Sequence, residues 1–374
     1  MRQKVLNATA MKQQNEKKVL DQIRIRPIPR IDIARNIGLT RAAVSVIAEQ
    51  LISKGILMEG LPVQGKKGRN SIELTFNPDK FYLIGIDIAR DYCTIGIADF
   101  AGQIKSTHKF VINEQARDVQ DILEEISLCL EKLLQDNPCQ GDLLGIGITA
   151  PGPMDVRAGT ILNPPNFMAW HNLPIVEYFE QRFSCFVTLE NNARALTLAE
   201  TYYGIGSQSP NYIGMVVDTG IGGGIMVNGN LYESEHGFSA DFGHVSIDIN
   251  GEQCSCGNWG CAELYASIPN ILKEAKKLDK SLINWVEVVK KAEAGEAKAL
   301  QIIDLEARYL ASIITSIVNI FAIGTIITMG DITYHGGLIN ERIEKIVNQQ
   351  FIGRTISTVS VCSSKMPEHA NVLA

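Results

Sequence analysis

No apolar run follows the positive charges of the opening stretch MRQKVLNATAMKQQNEKK, so nothing here reads as a secretory signal peptide, and a cytoplasmic protein is expected. A clean membrane span is missing too. No charge falls between Arg308 and Asp331, which is long enough to cross a bilayer, but Ser312, Thr315, Ser316, Asn319, Gly324 and Thr325 interrupt the run. The β-branched stretch Thr325 to Thr328 after Gly324 reads instead as a strand that follows a buried helix. Charged residues are only 20% of the 374 and hydrophobic ones are 45%, which excludes a chain disordered throughout. The length suggests about two to three domains.

What is present is unevenly spread. Residues 1–78 hold 14 Lys and Arg against 6 Asp and Glu, whereas residues 79–374 hold 21 against 35, so a small basic head sits on a large acidic body. A basic head of this kind is an electrostatic footprint for nucleic acid, and a solvated charged tail is the competing reading.

The pattern inside the head decides between them. Val19, Leu20 and Ile23 predict a short amphipathic helix closed off before Pro27 and Pro29. Ile31, Ile33, Ala34 and Ile37 predict a second helix stopping at Gly38. Thr40 is a good N-cap for a third, which buries Val44, Ile47, Leu51 and Ile52 and turns Arg41, Ala42, Ser45, Val46 and Gln50 outward. Gln64 to Asn70, followed by the alternating Ile72, Leu74 and Phe76, predicts a two-stranded wing with a basic tip. This is a winged helix-turn-helix pattern. Thr40, Arg41, Ala42, Ser45 and Gln50 would face the major groove, while Lys66, Lys67 and Arg69 would lie along phosphate backbone or minor groove.

In the body, Tyr82 to Ala98 and Tyr212 to Val227 resemble each other, each being a strand, a turn with Asp or Gly, and a second strand. Glycine turns of this type let backbone N–H groups approach phosphate oxygens, although a plain β-hairpin would look the same. Helical spacing from Val119 to Leu133 between them supports alternating α/β architecture. His244 with Cys254, Cys256 and Cys261 supplies the ligands of a tetrahedral structural zinc site, with free buried cysteines or a disulfide as the competing readings. The remaining cysteines are scattered, so this cluster stands apart and favours zinc.

Together with ITAPGPMD, ILNPPNFMAW, LENNARA, DTGIGGGI, DFGH and CSCGNWGCAE, these features resemble the ROK family of repressors, open reading frames and kinases over essentially the whole chain. The fused head resembles its repressor branch, which responds to xylose, glucose or N-acetylglucosamine. The resemblance implies an actin-like, two-lobed sugar-kinase fold: a head at 1–78, a first lobe at 79–190, and a second lobe at 191–374 whose C-terminal helix packs back on the first. It also implies a sugar held by Asn166, Asn192, Asp241, His244 and Glu263, with zinc orienting His244.

Against the kinases of that family, Asn192 stands where a general-base Asp is usual, and an amide cannot take a proton from a sugar hydroxyl at neutral pH. The first phosphate loop reads Asp87-Ile88-Ala89-Arg90-Asp91, with side chains where glycines are usual, and Met329-Gly330-Asp331-Ile332 replaces a Gly-Gly turn. A second loop survives as a vestige in Thr219, Gly220, Gly222 and Gly223, although Asp218 replaces a usual glycine. Asp241 is one methylene shorter than the usual Glu. The expectation is therefore a non-enzymatic, sugar-responsive DNA-binding regulator, a repressor of carbohydrate genes acting as a homodimer, or a tetramer, on operator DNA. An ATP-dependent sugar kinase with an accessory head is the alternative, and a constitutive DNA-binding scaffold is a third reading.

Overall fold

Val19 and Ile23, one helical turn apart, are the buried anchors of helix α1 (Ala8–Ile25), which begins well before the short helix expected from sequence. This is a computed structural model, and it describes residues 8–64, 70–112, 118–165, 167–234, 239–367 and 369–374. After β1 (Ile28–Pro29), α2 (Arg30–Ile37) ends where Gly38 turns into the left-handed region at φ 70°. The Thr40 hydroxyl accepts from the Ala43 N–H at 3.2 Å and opens α3 (Arg41–Ser53). Strands β2 (Leu57–Gln64) and β3 (Asn70–Phe76) pair antiparallel, and β1 adds to the outer edge of β3. Val44, Ile47 and Leu51 meet Ile33, Leu57 and Leu74 in one small core, with Ile52 only half-buried beside it.

The first body sheet consists of β4 (Phe81–Ile88), β5 (Tyr92–Asp99), β6 (Ile104–Val111), β7 (Asp142–Ala150) and β10 (Val187–Asn191). A two-stranded ribbon, β8 (Met154–Asp155) with β9 (Thr160–Ile161), lies between β7 and β10 in the chain. Ile84, Ile86 and Ile88 alternate along β4 and pack on α4 (Val119–Asp136) and α5 (Ile175–Phe183).

Helix α6 (Asn192–Tyr203) leaves this sheet directly after β10 and lies across one face of the second. That second sheet comprises β11 (Tyr212–Val217), β12 (Ile221–Val227), β13 (Asn230–Leu231), β14 (Thr325–Met329) and β15 (Ser360–Ser363). Its other face is covered by α7 (Glu263–Ala266), α8 (Ile268–Leu278), α9 (Trp285–Glu293), α10 (Ala297–Phe321) and α11 (Gly337–Gln350). The uncharged run is thus the second half of α10, which buries Leu310, Ile313, Ile314, Ile317 and Val318 and leaves Ile320 and Phe321 exposed, followed by β14. No helix among the described residues is long and apolar enough to cross a membrane.

The order β6-β5-β4-β7-β10 in one sheet matches β13-β12-β11-β14-β15 in the other. Each has two antiparallel pairings followed by two parallel ones. The two similar hairpins seen in the sequence are therefore the first strands of a duplicated unit.

The last helix, α11, packs on the second sheet, and it is the segment after β15, with a single 3-10 turn (Ala370–Val372), that returns to the first sheet. Gly85 and Gly96 are cross-strand partners, and side chains at either would collide with Val372, so their lack of a Cβ makes the seat for this turn.

Candidate effector and metal site

The loop from Thr219 to Gly223 is where the candidate residues gather. Glu263, at the start of α7, accepts from the Ile221 N–H at 3.1 Å, and its carboxylate lies where a Cβ on Gly220 would have to go. Ala193, the residue after Asn192, packs on Gly222, while the Phe242 ring packs on Gly223. The Thr219–Gly223 loop is thus closely covered by Glu263 and by the chain neighbours of Asn192 and Asp241. Asn192 itself is half-buried in the first turn of α6, its Oδ1 accepting from the Ala193 N–H at 2.8 Å.

Asp241 precedes a one-turn 3-10 helix, Phe242–His244. Solvent reaches its side chain, yet surrounding protein pushes its carboxyl above the ordinary range, against the opposing pull of His244 and Arg194. Asp241, His244, Glu263 and the α6 N-terminus therefore share one neighbourhood. Asn166, and Lys66, Lys67 and Arg69 in the head, lie outside the described residues.

The ligand atoms of His244, Cys254, Cys256 and Cys261 all lie within 4.8 Å of one another. Cys256 Sγ stands 3.6 Å from Cys261 Sγ, and Cys254 Sγ stands 3.7 Å from His244 Nδ1. Thiolates at ~2.3 Å from a tetrahedral ion stand about 3.8 Å apart, so this donor set fits a metal. The cysteines are free thiols and not a disulfide. Backbone ties hold the cluster in place: Cys254 N–H donates to Asn258 O at 2.8 Å and Ala262 N–H to Val245 O at 2.9 Å.

Acid groups gather near the turns of the two hairpins. Asp87 is 5% exposed and accepts from Thr149 Oγ1 and Asn371 Nδ2, each at 2.7 Å. Burial raises its carboxyl above the usual range. Asp218 is held at about 6 by burial and by the neighbouring Asp331. Tyr92 is pushed up to about 12 by burial together with Asp87, Asp218, Asp331 and Asp91, and Lys109 Nζ lies 3.5 Å from its ring centroid. A polyphosphate entering here would meet carboxylates.

On α3, Thr40, Arg41, Ala42 and Val46 are exposed, and Ser45 and Gln50 are half-buried at its edge. A cavity of about 830 Å³ lies elsewhere, between α1 and the first sheet, and Asn192, Asp241, His244 and Glu263 do not line it.

Residue types alone had not singled out Arg194, 3% exposed, which donates to Glu190, to the Tyr232 carbonyl and to Ser239. Its i, i+4 spacing from Glu190 was the available signal.

Residues 83–373 match the model described as ROK family. The chain is 29% identical to the xylose repressor of Caldicellulosiruptor bescii, over 98% of this chain and 95% of that protein. Among solved structures, a ROK family transcriptional regulator that is a homologue of E. coli MLC aligns with a TM-score of 0.81 and 25% identity, covering 97% of this chain and 94% of the other. A ROK family glucokinase from Streptomyces griseus, solved with glucose and AMPPNP, aligns with a TM-score of 0.69 and 25% identity over 78% and 97%.

Proposed function

The chain belongs to the ROK family, and on that premise we propose that it is a sugar-responsive transcriptional repressor with a DNA-reading head and an actin-like, two-lobed sensing body. The relatives named as a repressor and as a transcriptional regulator align over the head as well as the body, which supports this reading over that of a kinase. The head, residues 1–78, is a winged helix-turn-helix: Arg41, Ser45 and Gln50 on α3 read base edges, while Lys66, Lys67 and Arg69 contact backbone. Two copies in a homodimer would address two half-sites about 34 Å apart.

The lobes at 79–190 and 191–374 hold a neutral sugar through Asn166, Asn192, Asp241, His244 and Glu263. Carboxylates and amides pair with vicinal hydroxyls as acceptors and donors. His244, Cys254, Cys256 and Cys261 would hold a structural zinc, which when bound fixes the fold of the 244–261 loop. With Nδ1 of His244 turned toward the thiols, Nε2 is left for the sugar.

One observation carries the distinction from a kinase: Asn192 offers an amide, and no general base, at the position from which a sugar hydroxyl would be deprotonated. The carboxylates around Tyr92 work in the same direction. The second reading, an ATP-dependent sugar kinase with a DNA-binding head, draws on the likeness to the glucokinase fold.

The test begins with a thermal-shift screen of neutral, amino and phosphorylated monosaccharides, followed by operator titrations with the sugar that binds. Glu263→Ala is expected to abolish the response to sugar and leave ligand-free DNA binding intact. Release of DNA by Glu263→Ala at the parent's sugar concentration would overturn the pocket assignment.

A further inference from the structure

Arg194 is a cation buried beside the candidate pocket, with its donors turned into the protein. Nε reaches Glu190 Oε1 at 2.9 Å, Nη2 reaches Glu190 Oε2 at 3.3 Å, and Nη1 is shared between the Tyr232 carbonyl, at 2.9 Å, and Ser239 Oγ. Glu190 belongs to β10 of the first sheet, whereas Tyr232 and Ser239 follow β13 of the second. One guanidinium thus joins the two lobes.

The segment it holds is strained. Ala240, between Ser239 and Asp241, has φ 65°, a left-handed conformation that an alanine does not adopt without external restraint. On the far side, the Phe242 N–H donates to the Ala240 carbonyl at 2.8 Å and the His244 N–H to the Asp241 carbonyl at 3.0 Å. Asp241 is therefore presented from a bend pinned upstream by Arg194 and downstream by the 242–244 turn. A planar fork of five donors can serve a carboxylate, a carbonyl and a hydroxyl together, and a lysine ammonium on its flexible stem cannot reach all three.

We propose that Arg194 is a positioning residue for the effector pocket: by tying Glu190 to Tyr232 and Ser239 it fixes the bend that presents Asp241. This rests on the pocket reading above. It implies that sugar affinity depends on a side chain whose hydrogen-bonding atoms are all engaged with protein.

Arg194→Met alone would strand Glu190 and could unfold the chain, so the variant of choice is the paired E190Q/R194M, which leaves no buried charge unpartnered. Two measurements are made on the full-length protein: hydrogen exchange at the amides of Asp241 to Val245, and titration with D-xylose and D-glucose. In the paired variant, exchange is expected to quicken by about tenfold or more, and affinity for whichever sugar binds the parent to fall by about tenfold. Arg194→Lys should lie between parent and paired variant in both.

Unchanged exchange in a folded E190Q/R194M protein overturns the clamp, whatever the sugar does. Faster exchange with unaltered sugar affinity overturns the positioning role. If neither sugar binds the parent, the pocket reading loses its support, while exchange alone still decides whether Arg194 holds the bend.

Discussion

The guanidinium of Arg24 lies 4.2 Å from the ring centroid of Tyr202. Arg24 is in the last turn of α1 in the head, and Tyr202 is in the last turn of α6 in the body. The opposite end of α6 carries Asn192 and Arg194, so a single helix of 12 residues, about 18 Å long, runs from the candidate pocket to the head.

A cation–π contact at a partly exposed site contributes about 0.5 to 1 kcal/mol. If the contact forms in only one of two sugar-dependent states, Tyr202→Ala should shrink the ratio of operator affinities with and without sugar about two- to fivefold. Tyr202→Phe, which keeps a ring under Arg24, should preserve most of it. Operator titrations in the presence and absence of sugar measure this, and an unchanged ratio in Tyr202→Ala would exclude the contact as a route of coupling.

The cluster of His244, Cys254, Cys256 and Cys261 gives a second expectation. Purified protein should contain about one zinc per chain, and chelation should lower its melting temperature, because the 244–261 loop is held by isolated bridges and single hydrogen bonds and not by a helix or a sheet. Cys256→Ser, which alters the exposed member of the four, should weaken zinc retention more than it disturbs the core. Metal analysis well below one zinc per chain, together with a melting temperature indifferent to chelator, would rule out a structural ion.

The third concerns pH. Asp218 titrates at about 6 in the folded chain against an ordinary value of 3.8, because burial and Asp331 oppose its charge. A carboxyl whose folded value is raised takes up a proton on folding between those two values. Its charged form therefore works against stability above pH 6, and that penalty is relieved as pH falls from 6 toward 4. Asp218→Asn should raise the melting temperature by a few degrees at about pH 7.5, with a smaller gain at about pH 4.5. The isosteric amide keeps an acceptor for the Thr219 N–H, which donates to Asp218 Oδ1 at 2.8 Å. An equal gain at both pH values would mean that the carboxylate's charge is not the cause.

How much of this was legible in the sequence depended on how far apart the interacting residues are. The Thr40 cap, the Gly38 turn and the four metal-ligand candidates lie within short windows, where residue type and spacing carry the information. The end of α10 and β14 were legible because Gly324 separates a helical run from a β-branched one. The Arg194 clamp was not, since Tyr232 and Ser239 are 38 and 45 positions away and nothing in their residue types marks them as partners. The seat for Val372 was hidden for a different reason: Gly85 and Gly96 show only that side chains are absent there, and not what fills the space. No residue pattern in the last segment marks the turn that seats it on the first sheet.

Among the described residues, Asp87 accepts from two side chains, Thr149 and Asn371, the second 284 positions further along the chain. On the ribosome, the strands of the first sheet are complete once Asn191 has emerged, but this buried carboxyl then has only Thr149. It waits with half of its partners until almost the whole second lobe has been made. A nascent chain stalled anywhere between those two points would hold a first sheet whose glycine seat is open to water and whose central acid lacks the Asn371 bond. Completion of the first lobe is thus set by the synthesis of the second.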